Sequence, residues 1–192
     1  MDIIATKFPV SAKLGGMAVV LALCVGVPLG VLAAYKRGTF IDSLFSVIAT
    51  CGIAVPGFVI CTLLLYVFGV KLQWLPTLGL KSAKSYIMPV VALAAYPTSY
   101  IMRLMRSSML DVLGQDYMRT AKAKGLSQKV SLFKHALRNA ILPVITYVGP
   151  MLAYTLTGSF VTEMIFTIPG LGGEFIKAIN GRDYTMIMGT TI

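Results

Sequence analysis

Long apolar stretches dominate the chain, and the charged residues collect in the segments between them. A helix needs about 20 apolar residues to cross a bilayer core about 30 Å thick. Four stretches meet this requirement, and a shorter fifth one opens near the end of the chain. They cover residues 14–35, 43–70, 86–102, 140–161 and 184–192. The pattern predicts an all-α polytopic membrane protein.

The composition agrees with this prediction. The chain is 57% hydrophobic and 12% charged, whereas soluble domains are about 45–50% apolar and about 25% charged. A soluble enzyme, a disordered tail and a disulfide-stapled secreted domain are therefore excluded. The net charge is +10, but the basic residues lie between apolar stretches and not on the face of a soluble fold. We therefore expect contact with membrane lipid and no nucleic acid.

The distribution of the basic residues predicts which segments face the cytoplasm. Ten of the 17 Lys and Arg residues fall in segments 36–42 and 103–138. Because cytoplasmic loops carry the excess of Lys and Arg, these two segments are placed inside. Residues 1–13, 71–85 and 164–184 are then placed outside.

The predicted spans contain many prolines and few ionisable groups. Each proline removes a backbone donor and tends to kink its helix, which reflects either irregular packing or a pathway that opens and closes. The six are Pro28, Pro56, Pro89, Pro97, Pro143 and Pro150. Gly26 and Gly30 form a GxxxG motif, which favours close helix packing. Glu163, at the outer end of the fourth span, is predicted to be interfacial and partly hydrated.

Segment 103–138, which we call the cytoplasmic loop, has signals for two helices joined by a glycine. Asp116 is a candidate N-cap, Gly125 a left-handed stop and Ser127 the cap of a second helix. In the second helix apolar residues recur at helical spacing, and four polar residues lie largely off that face. The apolar set is Leu126, Val130, Phe133, Leu137 and Ile141; the polar set is Gln128, Lys129, Lys134 and Arg138.

Two interpretations of this amphipathic helix stay open. It is typical of a helix on the membrane surface and equally of one presented to a cytoplasmic partner. The small residues Ala121, Ala123 and Gly125 favour the partner, because they let another surface approach the backbone.

Several sequence blocks resemble the ABC-importer permeases, in particular the oligopeptide/dipeptide/nickel subgroup, and are closest to the oligopeptide permeases of the OppB type. The loop carries Asp116-Tyr-Met-Arg-Thr-Ala-Lys-Ala-Lys-Gly125 followed by His135-Ala-Leu-Arg-Asn-Ala-Ile-Leu-Pro143. The other blocks are Phe8-Pro-Val-Ser-Ala-Lys-Leu-Gly15, Thr157-Gly-Ser-Phe-Val-Thr-Glu163, Ile168-Pro-Gly-Leu-Gly172 and Asn180-Gly-Arg-Asp-Tyr184. The resemblance covers essentially the whole chain.

The loop departs from the wider superfamily pattern E-A-A-x3-G-x9-I-x-L-P. The positions of that pattern fall on Arg119, Thr120, Ala121, Gly125, His135, Leu137 and Arg138. Only one Ala, the Gly and the Leu match literally, which is typical of the peptide subgroup.

The resemblance implies a type I, MetI-like permease fold and a set of partners. These are a second homologous permease subunit, two cytoplasmic ABC ATPase subunits and an extracytoplasmic peptide-binding protein. The loop helix would sit in a groove of an ATPase, and the protein would lie in the bacterial inner membrane. The candidate coupling residues are Arg119, Thr120, Ala121, Gly125, His135 and Leu137. Family members have a further span at each end, so we expect this chain to be a fragment.

No cofactor, metal or catalytic residue is expected. The chain has no GxxxxGK[ST] motif to hold nucleotide phosphates, so ATP would be used by partner subunits. The three cysteines lack metal-ligand spacing, and His135 has no evident carboxylate or nucleophile to act with. The expected function is peptide import, with oligopeptides first and dipeptides or nickel as alternatives. A membrane-embedded enzyme and a multi-pass protein not powered by ATP remain the competing classes.

Overall fold

The computed structural model describes residues 2–127, 130–156 and 160–191. In these residues the only regular secondary structure is helical, which confirms the all-α prediction. The ten α-helices of this part are α1 (Asp2–Tyr35), α2 (Phe40–Ala54), α3 (Gly57–Leu64), α4 (Ile87–Leu113), α5 (Asp116–Ala123), α6 (Leu137–Ala140), α7 (Leu142–Leu156), α8 (Phe160–Ile165), α9 (Leu171–Gly181) and α10 (Tyr184–Thr191). Leu65–Lys71 and Ser131–Ala136 form π-helical turns, and Ala83–Tyr86 forms a 3₁₀ turn.

Two helical segments are long and apolar enough to cross a membrane, namely Ile3–Tyr35 and Ala83–Leu113. Two further apolar segments consist of helices that are bent at a short break. They are Phe40–Ala54 with Gly57–Lys71, and Ser131–Ala140 with Leu142–Thr155. By length and composition, the described residues therefore provide two candidate spans, or up to four if each bent pair is one span.

Two of the predicted spans look different in the structure. Helix α1 begins at Asp2 and not near residue 14, and its 34 residues are about 51 Å long, well beyond a bilayer core of about 30 Å. The segment predicted as one span over 43–70 is broken at Pro56, which precedes α3 in an extended conformation with φ −59° and ψ 140°. A proline disfavours the helical conformation of the residue before it, which here is Val55, so α2 ends at Ala54.

The chain divides into two compact units. The first unit contains Met1–Leu21, Val55–Tyr96 and Met151–Ile192, and the second contains Ala22–Ala54 and Pro97–Pro150. The core of the first unit is formed by buried side chains from α1, α3, α4 and the segment after α8. They include Leu14, Cys61, Met88, Val90, Ala92, Phe166 and Ile168.

Glu163 belongs to the interior of the first unit. Its relative exposure is 2%, and its carboxylate accepts hydrogen bonds from Ser11 Oγ at 2.6 Å and from the Gly172 amide at 2.8 Å. The prediction that Glu163 is partly hydrated is therefore wrong, whereas its position at the membrane interface stays a prediction. Polar partners within the protein take the place of water.

In the second unit, α4 packs directly against the glycine face of α1. A Cβ atom on Gly30 would lie 2.6 Å from the Met102 carbonyl oxygen and 2.7 Å from Met105 Cβ. A Cβ atom on Gly26 would lie 2.8 Å from the Thr98 carbonyl oxygen. Only glycine fits at such distances, so the packing role predicted for the GxxxG motif is confirmed.

Candidate functional site

Helix α5 is the first element of the candidate site in the cytoplasmic loop. It begins at Asp116, whose charge complements the positive end of the helix dipole. Thr120 Oγ1 donates a hydrogen bond to the Asp116 carbonyl oxygen at 3.1 Å. Arg119 Nη1 lies 3.8 Å from Asp116 Oδ1, with side chains that are 80% and 97% exposed. This ion pair is well solvated, so it contributes little to stability.

Gly125 forms a sharp elbow at the end of α5. Its φ is +75°, a left-handed conformation that glycine adopts without steric cost. The Leu126 amide donates to the Ala121 carbonyl oxygen at 3.3 Å, the long bond of a Schellman motif. No atom lies within 4 Å of a Cβ built on Gly125. The predicted left-handed stop is confirmed, and the glycine serves conformation and not packing.

Ser127 caps the second helix of the loop, as predicted. The Val130 amide donates to Ser127 Oγ at 3.4 Å, and the Ser131 amide donates to the Ser127 carbonyl oxygen at 3.0 Å. Gln128 and Lys129, which the sequence pattern places on its polar face, lie outside the described residues. From Ser131 to Ala136 the helix is π-helical.

The π-helical turn changes which side chains the second helix buries. The predicted apolar face includes Phe133, but that side chain is 60% exposed. Ser131, Ala136 and Ala140 are buried instead. The reason is that i→i+5 hydrogen bonding takes an extra residue per turn, so a face drawn at ordinary α-helical spacing loses register. Exposure of Phe133 does not contradict the predicted apolar face, which both interpretations present to the membrane surface or to a partner, and its occupant stays a prediction.

Exposed and half-buried apolar residues of this helix border a large cavity in the second unit. Its volume is about 820 Å³, and its walls are almost entirely apolar. The loop contributes Ser127, Leu132, Phe133 and Leu137, and α1 contributes Val27, Pro28, Val31, Leu32 and Tyr35. The helix thus keeps an apolar surface that the rest of the second unit does not cover.

A side-chain hydrogen bond ties the two helices of the loop together across the elbow. Asn139 Nδ2 donates to Tyr117 Oη at 3.0 Å and to the His135 carbonyl oxygen at 3.2 Å. Because Tyr117 lies on α5 and Asn139 on α6, this contact fixes the angle at Gly125.

The six candidate coupling residues lie on this one helix–elbow–helix element. Arg119, Thr120 and Gly125 are exposed, Ala121 is buried under the elbow, and His135 and Leu137 are half-buried. Arg119, Thr120 and Gly125 therefore present polar side-chain or backbone atoms at the surface of the loop. Their role in coupling stays a prediction.

Sequence reasoning missed an ion pair beside the loop. Arg106 Nε donates to Asp42 Oδ1 at 2.6 Å and Arg106 Nη2 donates to Asp42 Oδ2 at 2.8 Å. The Gly38 amide, at a φ of +76°, also donates to Asp42 Oδ2 at 3.0 Å. A two-point Arg–carboxylate contact of this kind is both strong and geometrically specific. It fixes the start of the loop to the turn between α1 and α2.

One signal in the sequence could have pointed to this ion pair. Asp42 is the only acidic residue between Asp2 and Asp111. A single carboxylate at the end of an apolar helix needs a partner when it is buried, and the second unit offers Arg106.

Comparison with known proteins gives a consistent result. Residues 26–192 match the sequence model of the family described as binding-protein-dependent transport system inner membrane component. The chain is 50% identical over 191 residues to the dipeptide transport system permease protein DppB of Bacillus subtilis. It is 43% identical over 193 residues to the oligopeptide transport system permease protein OppB of Salmonella typhimurium. The matches cover all of this chain but 62% and 63% of those two relatives, which is less than two thirds of their length.

Solved structures share the fold. A chain of the MetNI methionine ABC transporter in an inward-facing conformation superimposes with a TM-score of 0.78 at 14% identity, covering 100% of this chain and 87% of that one. A chain of an amino acid ABC transporter crystallised with histidines gives a TM-score of 0.70 at 17% identity, covering 99% and 85%. The predicted MetI-like permease fold is confirmed.

Proposed function

Because this chain belongs to the family of binding-protein-dependent transport system inner membrane components, we propose that it is part of the permease subunit of an ATP-driven peptide importer. It pairs with a second homologous permease in the bacterial inner membrane, and the two form the pathway between them. An extracytoplasmic binding protein delivers the peptide. Two cytoplasmic ATPase subunits bind the cytoplasmic loop and drive the change between inward- and outward-facing states.

The helix–elbow–helix of the loop is the observation that carries this proposal. A coupling element has to keep its own shape and still leave a surface for the motor. The Schellman bond at Gly125 and the contact between Asn139 and Tyr117 hold the shape. The exposed side of α5, with Arg119 and Thr120, provides a polar surface at which an ATPase subunit can bind.

The ion pair between Asp42 and Arg106 supports the transmission of force. Arg106 lies on the last turns of α4, close to where the loop begins, and Asp42 lies on the first turn of α2. The contact joins the two helices by two parallel hydrogen bonds, so a displacement of α4 is passed to α2. A solvent-exposed contact made by a single hydrogen bond would break more easily when α4 moves.

Peptides are the proposed substrate, and their length is the open choice. Oligopeptides are the first candidate from the sequence. Dipeptides are the second candidate. A relative named as a dipeptide permease supports them, since it is 50% identical to this chain, whereas one named as an oligopeptide permease is 43% identical.

The elbow is tested by Gly125→Leu in the full-length permease, reconstituted in proteoliposomes with its partner permease, both ATPases and the binding protein. A leucine in a left-handed conformation is strained, and it also projects from the surface proposed to meet the ATPase. We expect peptide uptake to fall at least tenfold, which corresponds to about 1.4 kcal/mol in the coupled step.

Gly79→Leu is the matched control for this experiment. Gly79 also has a positive φ, +71°, and open space where a side chain would begin, but it lies in the segment predicted to face outward. It should carry the same backbone strain without the same loss of uptake. Unchanged uptake in Gly125→Leu, or an equal loss in both variants, would contradict the proposed role of the elbow.

The substrate is tested with the same liposomes by competition between peptides of two to six residues. A permease for oligopeptides should take up the longer ones in the presence of the matching binding protein, and a permease for dipeptides should not. Uptake of none of them would contradict peptide import.

A further inference from the structure

A buried cluster of hydrogen bonds joins α1, α8 and the start of α9 in the first unit. Glu163 Oε1 accepts from Ser11 Oγ at 2.6 Å, and Glu163 Oε2 accepts from the amides of Gly172 at 2.8 Å and Gly173 at 3.3 Å. Ser11 Oγ in turn accepts from the Leu171 amide at 2.9 Å. We call these five residues the Glu163 cluster. It ties three amides at the beginning of one helix to side chains on two other helices.

The cluster leaves no room for other residues at two nearby glycines. A Cβ on Gly172 would lie 2.6 Å from Phe160 Cα and 2.9 Å from Glu163 Oε2. A Cβ on Gly170 would lie 2.5 Å from the carboxylate carbon of Glu163. Glycine is required at position 172 because the backbone of Phe160 leaves no room for a side chain, and a side chain at position 170 would displace the carboxylate of Glu163 from the cluster. Gly170 and Gly172 therefore both pack closely against the carboxylate of Glu163.

The charge on Glu163 suits its place. The amides at the start of a helix lack partners within the helix, and the helix dipole makes this end positive. Glu163 and Ser11 satisfy three of these amides, Leu171, Gly172 and Gly173. Both Ser11 and Glu163 are buried, so water and salt screen the interaction little.

The other end of α9 is also fixed. Arg182 adopts a left-handed conformation with φ +54°. The Asp183 amide then donates to the Ala178 carbonyl oxygen at 2.9 Å, and the Arg182 amide donates to the Ile179 carbonyl oxygen at 3.1 Å. Helix α9 is therefore held at both ends, while Lys177 and Asn180, which lie three residues apart and so share one face of the helix, are exposed.

We infer that Glu163 is a positioning residue for import: it holds α9 in the orientation in which its exposed face docks the extracytoplasmic binding protein. The inference rests on the proposed function, on the predicted outward placement of segment 164–184, and on the dependence of this family on a binding protein. A helix that is fixed before binding does not have to be ordered on binding, which improves affinity without adding contacts.

Helix α9 itself carries a carboxylate that serves as a matched control. Glu174 Oε1 lies 2.9 Å from Lys177 Nζ and 3.8 Å from Lys7 Nζ. The pair with Lys177 lies within α9 and cannot fix the helix to another element, and the contact with Lys7 on α1 is too long for a hydrogen bond. Glu174→Gln makes the same chemical change as Glu163→Gln, but it leaves the hydrogen bonds of the Glu163 cluster in place.

The experiment uses the full-length permease assembled with its partner subunits and binding protein. Two quantities are measured in Glu163→Gln, Ser11→Ala and Glu174→Gln: amide hydrogen exchange at residues 171–173, and the concentration of peptide-loaded binding protein that half-saturates ATPase stimulation. In the first two variants we expect both to rise by about tenfold, the effect of losing about one net hydrogen bond. Basal ATPase activity should stay unchanged, and Glu174→Gln should match the unaltered complex in amide exchange at residues 171–173.

Three results would overturn the inference. One is unchanged amide exchange at residues 171–173 in both cluster variants, because the cluster would not hold the helix. Another is faster exchange with an unchanged half-saturating concentration, because the cluster would then be structural only. The third is faster amide exchange at residues 171–173 in Glu174→Gln by as much as in the cluster variants, because the hydrogen bonds of the Glu163 cluster would then not be the cause. If Glu163→Gln fails to assemble, the milder Ser11→Ala decides.

The proposed function fails in a different way. An unaltered complex whose ATPase activity does not respond to loaded binding protein would contradict the importer role itself. A normal response in the unaltered complex, retained at the same half-saturating concentration in both cluster variants, would overturn only the role of Glu163.

Discussion

The contact between α1 and α4 and the loop that follows α4 both depend on glycine, but for opposite reasons. At Gly26 and Gly30 the backbone conformation is ordinary and there is no space for a side chain. At Gly125 there is open space and the backbone conformation is the one that other residues avoid. At Gly26 and Gly30, glycine is thus required by the close packing of α4. At Gly125, glycine is required by the left-handed backbone conformation, and no neighbouring atom packs against this position.

This difference separates stability from coupling in the second unit. Helix–helix contact in a membrane relies on close packing, because lipid is as apolar as the side chains. Loss of that packing should lower the stability of the whole unit. Changes at the elbow should instead alter local shape and the proposed binding of ATPase, at a small cost in stability.

The largest effect is expected for Gly30→Ala. The added methyl group would meet the backbone of Met102 and the Cβ of Met105, neither of which can move without separating α1 from α4. Overpacking of this kind costs about 1–3 kcal/mol. The free energy of unfolding in detergent, followed by circular dichroism, measures it.

Gly16→Ala is the control for this prediction. Gly16 also lies inside α1, but no atom comes within 4 Å of a Cβ built there. Alanine is favoured over glycine in a helix by about 1 kcal/mol, so this variant should be slightly more stable. Equal effects of the two substitutions would show that packing does not distinguish these positions.

Arg106→Gln is expected to have the next largest effect. It removes two hydrogen bonds from Asp42, whose side chain is 8% exposed, whereas the side chain of Arg106 is 30% exposed. Breaking a fully buried pair costs about 3–5 kcal/mol. Since Arg106 is partly solvated, we expect about 2 kcal/mol, nearer the range for hydrogen bonds to a charged group.

A double-mutant cycle tests whether the loss of stability in Arg106→Gln comes from its interaction with Asp42. Asp42→Asn combined with Arg106→Gln should cost clearly less than the sum of the two single changes. Strict additivity of the three free energies of unfolding would mean that the two residues act independently.

The local features of the chain could be predicted from sequence because their causes are local. The elbow follows from Gly125 and Ser127, which have well-defined roles at helix ends. The close helix contact follows from Gly26 and Gly30, although the partner helix does not. The apolar stretches indicate helices and their approximate positions.

The remaining features depend on residues that are far apart in sequence. Asp42 and Arg106 are separated by 64 positions, and Ser11 and Glu163 by 152. No periodicity in the sequence predicts such long-range contacts, so the sequence pattern predicts a partly hydrated Glu163 although the fold buries it. The buried side of the second loop helix escapes prediction for another reason. The π-helical turn at Ser131–Ala136 shifts the register, and hydrophobic spacing at 3.6 residues per turn does not reveal it.

Gly125→Ala should have a smaller effect on stability than either preceding change. A non-glycine residue in the left-handed conformation costs about 1–2 kcal/mol, and the open space adds no steric clash. Gly125→Asn should cost less, because asparagine adopts this conformation more readily. Faster hydrogen exchange at the Leu126 amide would report the loosened elbow. A loss of stability as large as that of Gly30→Ala would contradict the distinction between the two regions.

The smallest effect on stability is expected for Arg119→Gln, and this makes it the most selective probe of the loop. The ion pair with Asp116 is 3.8 Å long and largely exposed, and exposed pairs of this kind contribute about 0–1 kcal/mol. The unfolding midpoint should therefore hardly change. If α5 docks on an ATPase subunit, however, loss of an exposed charge at that surface should weaken assembly, as measured by titrating the ATPase against the permease in nanodiscs. Lys36→Gln, in the other predicted cytoplasmic segment, is the control and should leave assembly unaltered. Weakened assembly without lost stability would place Arg119 at the contact with the motor, and an unchanged affinity would remove it from that contact.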